Sequence, residues 1–121
     1  MPEGSLYVLS PAHVNLVGAH SLTTREADTA LIAKGRLYVD LMESCRNEGG
    51  DFMLPLQEGA IEDNAILGEI GRIESGAVAG RDTDADITIY NSLGITAQDL
   101  FAARHVYNKA LTMDIGLTAE L

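Results

Sequence analysis

The sequence predicts an α/β protein with a three-layer arrangement, in which a short, mainly parallel sheet of three to four strands is flanked by helices. Short runs rich in Val, Ile and Leu alternate along the chain with segments in which apolar residues recur at helical spacing. Strands that alternate with helices are joined by right-handed crossovers, which makes neighbouring strands parallel. Because the 121 residues contain no repeat and no linker, we expect residues 1–121 to form a single domain.

The predicted strands are short. They lie at 13–18, 36–41 and 86–91, and residues 5–9 form a candidate fourth strand. The first run stops at Gly18, and the second is dense in residues that suit a pleated surface. A core made by these strands is aliphatic, because the chain has only four Tyr, two Phe and no Trp.

Three segments show helical periodicity. They lie at 24–34, 66–75 and 97–112. Residues 23–26, Thr-Thr-Arg-Glu, fit a capping box, in which a Thr hydroxyl and a Glu carboxylate bind orphan backbone N–H groups at a helix start. Gly35 is predicted to stop the first helix in a left-handed conformation, and Gly76 the second. Residues 42–50 are predicted as a short helical turn, and 51–63 as irregular chain broken by a proline and a glycine.

Composition excludes several kinds of partner. A net charge of −10 repels phosphate, so we expect no nucleic acid and no anionic membrane as a partner. No apolar run of about 18 residues is present that could span a bilayer. The N-terminus has neither the basic region nor the long apolar stretch of a secretory signal, so the expected compartment is the cytoplasm. The single cysteine, Cys45, excludes an intrachain disulfide and fits that compartment.

Several short motifs follow one another in a specific order. They are His13-Val-Asn-Leu-Val-Gly-Ala-His20, Arg25-Glu-Ala-Asp28, Val39-Asp40, Gly49-Gly-Asp51, Pro55-Leu, Gly59, Gly80-Arg81 and Thr88-Ile-Tyr-Asn-Ser-Leu-Gly94, leading into Gln98-Asp99. As a set, over about residues 12–110, they resemble the last third of the ornithine cyclodeaminase/mu-crystallin family of NAD(P)-dependent enzymes. The resemblance implies half of a Rossmann domain. In the family, the glycine-rich pyrophosphate loop, the acidic ribose-binding residue and the substrate-binding Arg and Lys lie upstream of these motifs.

The resemblance also implies roles for individual residues. Val17, Gly18 and Ala19 match the strand end that lines the nicotinamide pocket, and Ser92 matches a family serine close to the nicotinamide. Open α/β sheets place ligands at such strand ends. His20 stands where the cyclodeaminases proper carry a catalytic Asp, and this departure argues against a deaminating cyclisation.

The residues themselves support two interpretations of His20. A histidine exposed at the carboxyl end of a strand can act as an acid or base near neutral pH, whereas a loop histidine can simply cap the next helix. We predict no metal site, because His13 and His20 are seven residues apart and the acidic residues are scattered. Cys45 is expected to be a partly buried, inert thiol, although the neighbouring Arg46 could lower its pKa.

Two functional hypotheses follow. In the first, the chain is a truncated, non-catalytic remnant that self-associates and binds no cofactor tightly. In the second, it is part of an NAD(P)-dependent amino- or imino-acid oxidoreductase or cyclodeaminase that needs another chain for the phosphate loop. A homo-oligomer is expected because a sheet of three strands leaves an edge of unpaired backbone. The last helix also carries an apolar stripe that needs a cover. The stripe consists of Leu100, Ala103, Tyr107, Ala110 and Leu111.

Overall fold

The computed structural model of the protein describes residues 10–119, in which strands and helices alternate. Its strands are β1 (Ala12–Leu16), β2 (Arg36–Val39), β3 (Ile66–Glu69) and β4 (Ile87–Asn91). Its helices are α1 (Thr29–Lys34), α2 (Met42–Glu48), α3 (Gly50–Gln57), α4 (Ile70–Glu74) and α5 (Thr96–Met113). A 3₁₀ turn at Asp63–Ala65 precedes β3. The candidate strand at 5–9 lies outside the described residues.

The four strands form one parallel sheet in the order β1-β4-β2-β3. β4 lies at its centre, with Ile89 paired to Val14 on one side and to Leu37 on the other. This arrangement confirms the predicted α/β class with a parallel sheet flanked by helices. Within residues 10–119, the outer edge of β1 has no strand beside it.

One face of the sheet carries the core. Since side chains alternate along a strand, Val14, Ile89, Leu37 and Ile66 share a face and form a row across all four strands. This face packs against buried residues of α1, α2 and α3. Those residues include Ile32, Cys45 and Phe52.

The opposite face is polar. His13 Nδ1 lies 2.8 Å from Thr88 Oγ1, and the Tyr38 hydroxyl donates to the Gly80 carbonyl at 2.6 Å. The loop 77–86 covers this face over β2, while His13 and Asn15 of β1 remain exposed. A helix layer therefore covers one face of the sheet, and a polar loop covers part of the other.

The first predicted helix is shorter than expected. It begins at Thr29 instead of residue 24, with Asp28 as N-cap accepting a hydrogen bond from Leu31 N at 2.8 Å. The proposed capping box does not form, because the Glu26 carboxylate accepts bonds from the loop after β1. Gly35 is extended rather than left-handed, with φ −88°. A glycine is needed there because a Cβ would lie 2.3 Å from Ile89 Cδ1.

Residues 66–75 were predicted as one helix, and the prediction was wrong for the first half. Ile66 and Gly68 are buried and Leu67 is exposed, which is the alternation of a strand. This segment pairs with the free edge of β2, where backbone groups would otherwise lack partners. The helix that follows is only α4, and Gly76 with φ +74° ends it as predicted.

The prediction of irregular chain at 51–63 was also wrong at its start, because α3 runs through Pro55. The proline removes one backbone hydrogen bond from the helix. Phe52 and Pro55 are both buried in the core, and packing of a helix face is usually the larger contribution to helix stability. The predicted strands at 13–18, 36–41 and 86–91 and the last helix are confirmed within two residues at each end.

Candidate functional site

The carboxyl ends of the parallel strands meet at one edge of the sheet. Leu16 of β1, Asn91 of β4 and Val39 of β2 are in register there. The loop 17–20 leaves this edge from β1, and the loop 92–94 leaves it from β4. The Ser92 amide donates to the Leu16 carbonyl at 2.8 Å, so the fold places the two predicted site loops side by side.

The loop 17–20 is held by one carboxylate. Glu26 Oε2 accepts hydrogen bonds from Gly18 N at 2.6 Å and from Ala19 N at 3.4 Å. A Cβ on residue 18 would lie 2.8 Å from Glu26 Oε1, so only glycine allows this approach without a shift. Val17 is 65% exposed and Gly18 is exposed, whereas Ala19 is buried.

His20 is exposed. Its Nδ1 lies 3.3 Å from the Gly18 carbonyl, which is a backbone contact within the same loop. Across residues 10–119, no side chain forms a hydrogen bond with this ring. The structure therefore places His20 at the end of the loop 17–20, and among residues 10–119 it forms no acid–base pair with another side chain.

Ser92 is held by a second carboxylate, that of Asp40 at the end of β2. The Ser92 hydroxyl donates to Asp40 Oδ2 at 3.2 Å, and Gly94 N donates to the same oxygen at 2.7 Å. Asp40 Oδ1 accepts a bond from Leu41 N at 2.8 Å. Sequence reasoning counted Asp40 only among scattered acids and within a family motif. An acid that directly follows a strand parallel to the one before Ser92 was the signal that could have identified it.

A third carboxylate supports Glu26. Asp51 Oδ1 accepts bonds from Glu26 N and Ala27 N, each at 2.9 Å. Asp51 is only 1% exposed, and burial raises the pKa of its carboxyl above the usual range, although the two N–H groups oppose that rise. Its Oδ2 has no partner within the part of the chain described. Asp51 fixes the backbone at 26–27, and Glu26 in turn fixes the loop 17–20.

Two other buried groups lie beneath the edge. Cys45 is fully buried, and burial raises the pKa of its thiol to about 12, with the Asp40 charge adding to the rise and Arg46 opposing it. The thiol is more deeply buried than predicted, and a thiol with so high a pKa is a poor nucleophile at neutral pH, which agrees with the predicted inertness. The side-chain amide of Asn91 is also buried, and neither of its polar atoms has a partner among residues 10–119. Sequence reasoning assigned no role to Asn91.

The acidic loop before β4 is held by its own hydrogen bonds. Asp86 accepts bonds from the Thr83 hydroxyl and from the Thr83 and Asp82 amides, and these lower the pKa of its carboxyl to about 2. In the described segment, no group of three or more His, Cys, Asp or Glu side chains could hold a metal ion. No helix between residues 10 and 119 is both long and apolar enough to cross a membrane.

Comparison with known proteins identifies one family and several relatives. A sequence profile of the ornithine cyclodeaminase/mu-crystallin family matches residues 7–114. The chain is 38% identical, over 109 residues, to a Delta(1)-pyrroline-2-carboxylate reductase of Bacillus cereus, and the match covers 89% of this chain and 34% of that protein.

Two solved structures are similar to this chain in both fold and sequence. The Delta(1)-pyrroline-2-carboxylate reductase of Thermococcus litoralis, solved with NADH and L-proline, superposes with a TM-score of 0.81 at 33% identity, covering 93% of this chain and 35% of that one. An archaeal alanine dehydrogenase dimer with bound NAD gives a TM-score of 0.76 at 30% identity, with coverages of 94% and 35%. The chain thus spans about a third of the length of the relatives it matches.

Proposed function

The chain belongs to the ornithine cyclodeaminase/mu-crystallin family, and we propose that it forms the nicotinamide-facing part of an NAD(P)-dependent amino- or imino-acid oxidoreductase. The observation that carries this proposal is the pairing of the loops 17–20 and 92–94 through the Ser92–Leu16 hydrogen bond. The resemblance assigns both loops to the nicotinamide. Relatives that bind NADH or NAD share this fold over nearly the whole chain.

The residues present fit one end of the cofactor. Val17 and Gly18 offer an exposed surface beside Ser92, which suits a flat ring. The 121 residues contain no Gly-x-Gly-x-x-Gly sequence, whose backbone N–H groups and following helix would hold a pyrophosphate. We therefore propose that the phosphate-binding loop is supplied from outside this sequence. When bound, NAD(P) supplies the hydride chemistry. Residues 17–19 and Ser92 would orient its ring, and His20 is the candidate acid or base.

A second function is supported by α5. All its large apolar side chains are exposed, and none of its residues is buried. This supports a non-catalytic, self-associating role for the 121-residue polypeptide by itself. The two proposals are compatible, because a polypeptide that lacks its phosphate loop can assemble without turning over a substrate.

The 121-residue polypeptide is expected to bind NADH and NADPH weakly or not at all. The reason is that these residues contain no glycine-rich loop whose backbone N–H groups would hold the pyrophosphate, so they would contact only the nicotinamide end of the cofactor. A fluorescence titration at micromolar protein concentration measures this. Tight, saturable binding of NADH would contradict the prediction.

The same polypeptide is expected to show no cyclodeaminase, ketimine reductase or alanine dehydrogenase activity. Its candidate acid–base residue, His20, has no side-chain partner among the described residues, and the cationic residues that the resemblance assigns to substrate binding are not in this sequence. Alanine dehydrogenation is followed by the gain of NADH absorbance with alanine and NAD, and ketimine reduction by its loss with a cyclic imine and NADH. Cyclodeamination is followed by the release of ammonia from ornithine with NAD, because conversion of ornithine to proline and ammonia leaves NAD unchanged overall. Turnover that His20→Ala abolishes would show that the polypeptide is an enzyme in its own right.

A further inference from the structure

The hydroxyl of Ser92 has one proton, and the structure shows where it goes. The Ser92 hydroxyl, in the residue after β4, donates this proton to Oδ2 of Asp40, the residue after β2, at a distance of 3.2 Å. A serine hydroxyl has one donor and two acceptor lone pairs. A hydroxyl whose proton is engaged in this way can accept further hydrogen bonds but cannot donate one.

The direction of this bond is set by the other contacts of Asp40. All three of its hydrogen bonds come from donors, namely Ser92 Oγ, Gly94 N and Leu41 N. The two oxygens of the Asp40 side chain have enough lone pairs to accept all three bonds. Asp40 is 5% exposed and Ser92 9% exposed, so water competes little for these bonds.

Two features make the loop 92–94 depend on Asp40. Gly94 has φ +85°, a left-handed conformation that favours glycine, and its N–H donates to Asp40 Oδ2 at 2.7 Å. The Ser92 amide is engaged with Leu16 of β1 at the same time. Asp40 therefore holds the loop from the β2 side while Leu16 holds it from the β1 side.

From this arrangement we infer that Asp40 is a positioning residue, which makes Ser92 Oγ an acceptor for an N–H group of the ligand. The inference rests on the proposed function, because it takes the nicotinamide to lie beside Ser92. It specifies the chemistry: Ser92 selects a neutral ring that bears an N–H donor, such as a primary carboxamide, over the same ring bearing only acceptors.

The first test concerns the loop alone and uses no cofactor. In the 121-residue polypeptide, Asp40→Asn replaces one carboxylate oxygen by an NH2 group that cannot accept, so Ser92 and Gly94 lose their shared acceptor, Oδ2, or take the one that Leu41 N uses. Amide exchange at Gly94, followed by NMR, is expected to accelerate about tenfold or more, whereas amides of the β1–β4 ladder change less than about twofold. Glu69→Gln is the matched control, because Glu69 accepts Met42 N at 2.9 Å at the end of β3 and does not contact the loop 92–94. Unchanged exchange at Gly94, or equal acceleration throughout the sheet, would overturn the role of Asp40.

The second test concerns the ligand. Nicotinamide and methyl nicotinate are both neutral, and only nicotinamide has N–H donors. NMR titrations at millimolar concentrations, observed at Val17 and Gly18, are expected to favour nicotinamide by about tenfold. Asp40→Asn and Ser92→Ala should both reduce that preference to within about twofold. Equal affinities in the unmodified chain, or no response to nicotinamide, would overturn the acceptor role of Ser92. Neither result depends on a phosphate loop, so the NADH titration remains a separate test of the proposed function.

Discussion

Light scattering after size exclusion should find the 121-residue chain as a dimer or a larger assembly at tens of micromolar. Leu100, Tyr107 and Leu111 of α5 are all exposed, and Tyr107 is 61% exposed. They lie on one side of the helix at spacings of seven and four residues. Soluble monomers rarely expose an apolar patch that extends over several turns of a helix. A second copy of the same helix face would cover this patch symmetrically. A monodisperse species of 12.9 kDa would contradict this expectation.

Substitution within α5 identifies the surface that is used. Tyr107→Asp places a charge on the apolar stripe and is expected to convert the assembly to monomers. His105→Asp introduces the same side chain on the opposite side of the helix and should leave the assembly intact. If Tyr107→Asp also leaves it intact, association does not use the stripe, and the free edge of β1 becomes the surface to test.

Gly50→Ala is expected to lower the free energy of unfolding by about 3 kcal/mol, the upper range for overpacking a core. A Cβ at this position would lie 2.0 Å from the Thr24 carbonyl oxygen and 2.5 Å from that of Ser21. Both obstacles are backbone atoms, so they cannot move aside as a flexible side chain would. The loop 21–24 would have to shift away from α3.

The control for this substitution is Gly71→Ala. Gly71 is exposed in α4, and a Cβ there would meet nothing within 4 Å. Alanine is the better helix former, so this variant should be unchanged or up to about 1 kcal/mol more stable. Urea denaturation of both variants gives the comparison, and equal midpoints would show that the loop 21–24 accommodates the extra methyl group.

The sequence predicts the sheet well where apolar runs are unambiguous. The run before Gly18 and the run at 86–91 each have a single interpretation, and both are strands. The segment 66–75 was misread, since isoleucines at 66, 70 and 73 fit helical spacing and residues 66–69, Ile-Leu-Gly-Glu, show no apolar–polar alternation in the sequence. Only the burial of 66–69 in the structure alternates. The free edge of β2 decides in favour of a strand, and that edge is known only once the sheet is assembled.

The candidate site was likewise predicted only in part from the sequence. Sequence motifs identified the two loops that the fold brings together at the sheet edge. They did not identify the carboxylates that hold those loops, because Asp40 and Ser92 are 52 residues apart and Asp51 and Ala27 are 24 apart. Glu26 was assigned to a helix cap, since a Thr-x-x-Glu pattern near a helix start has the same spacing whether or not the cap forms. The role of each carboxylate depends on contacts between segments that are distant in the sequence.

The central position of β4 has a consequence for how the protein is made. A ribosome completes β1 and β2 long before β4, yet these two strands are joined only through β4, with His13 and Thr88 lying 75 residues apart. Until residues 87–91 emerge, the nascent chain carries open strand edges with no partner. Long-range pairing of this kind slows folding, and open edges are where nascent chains aggregate. We therefore expect the insertion of β4 between β1 and β2 to be a late step in the folding of this segment.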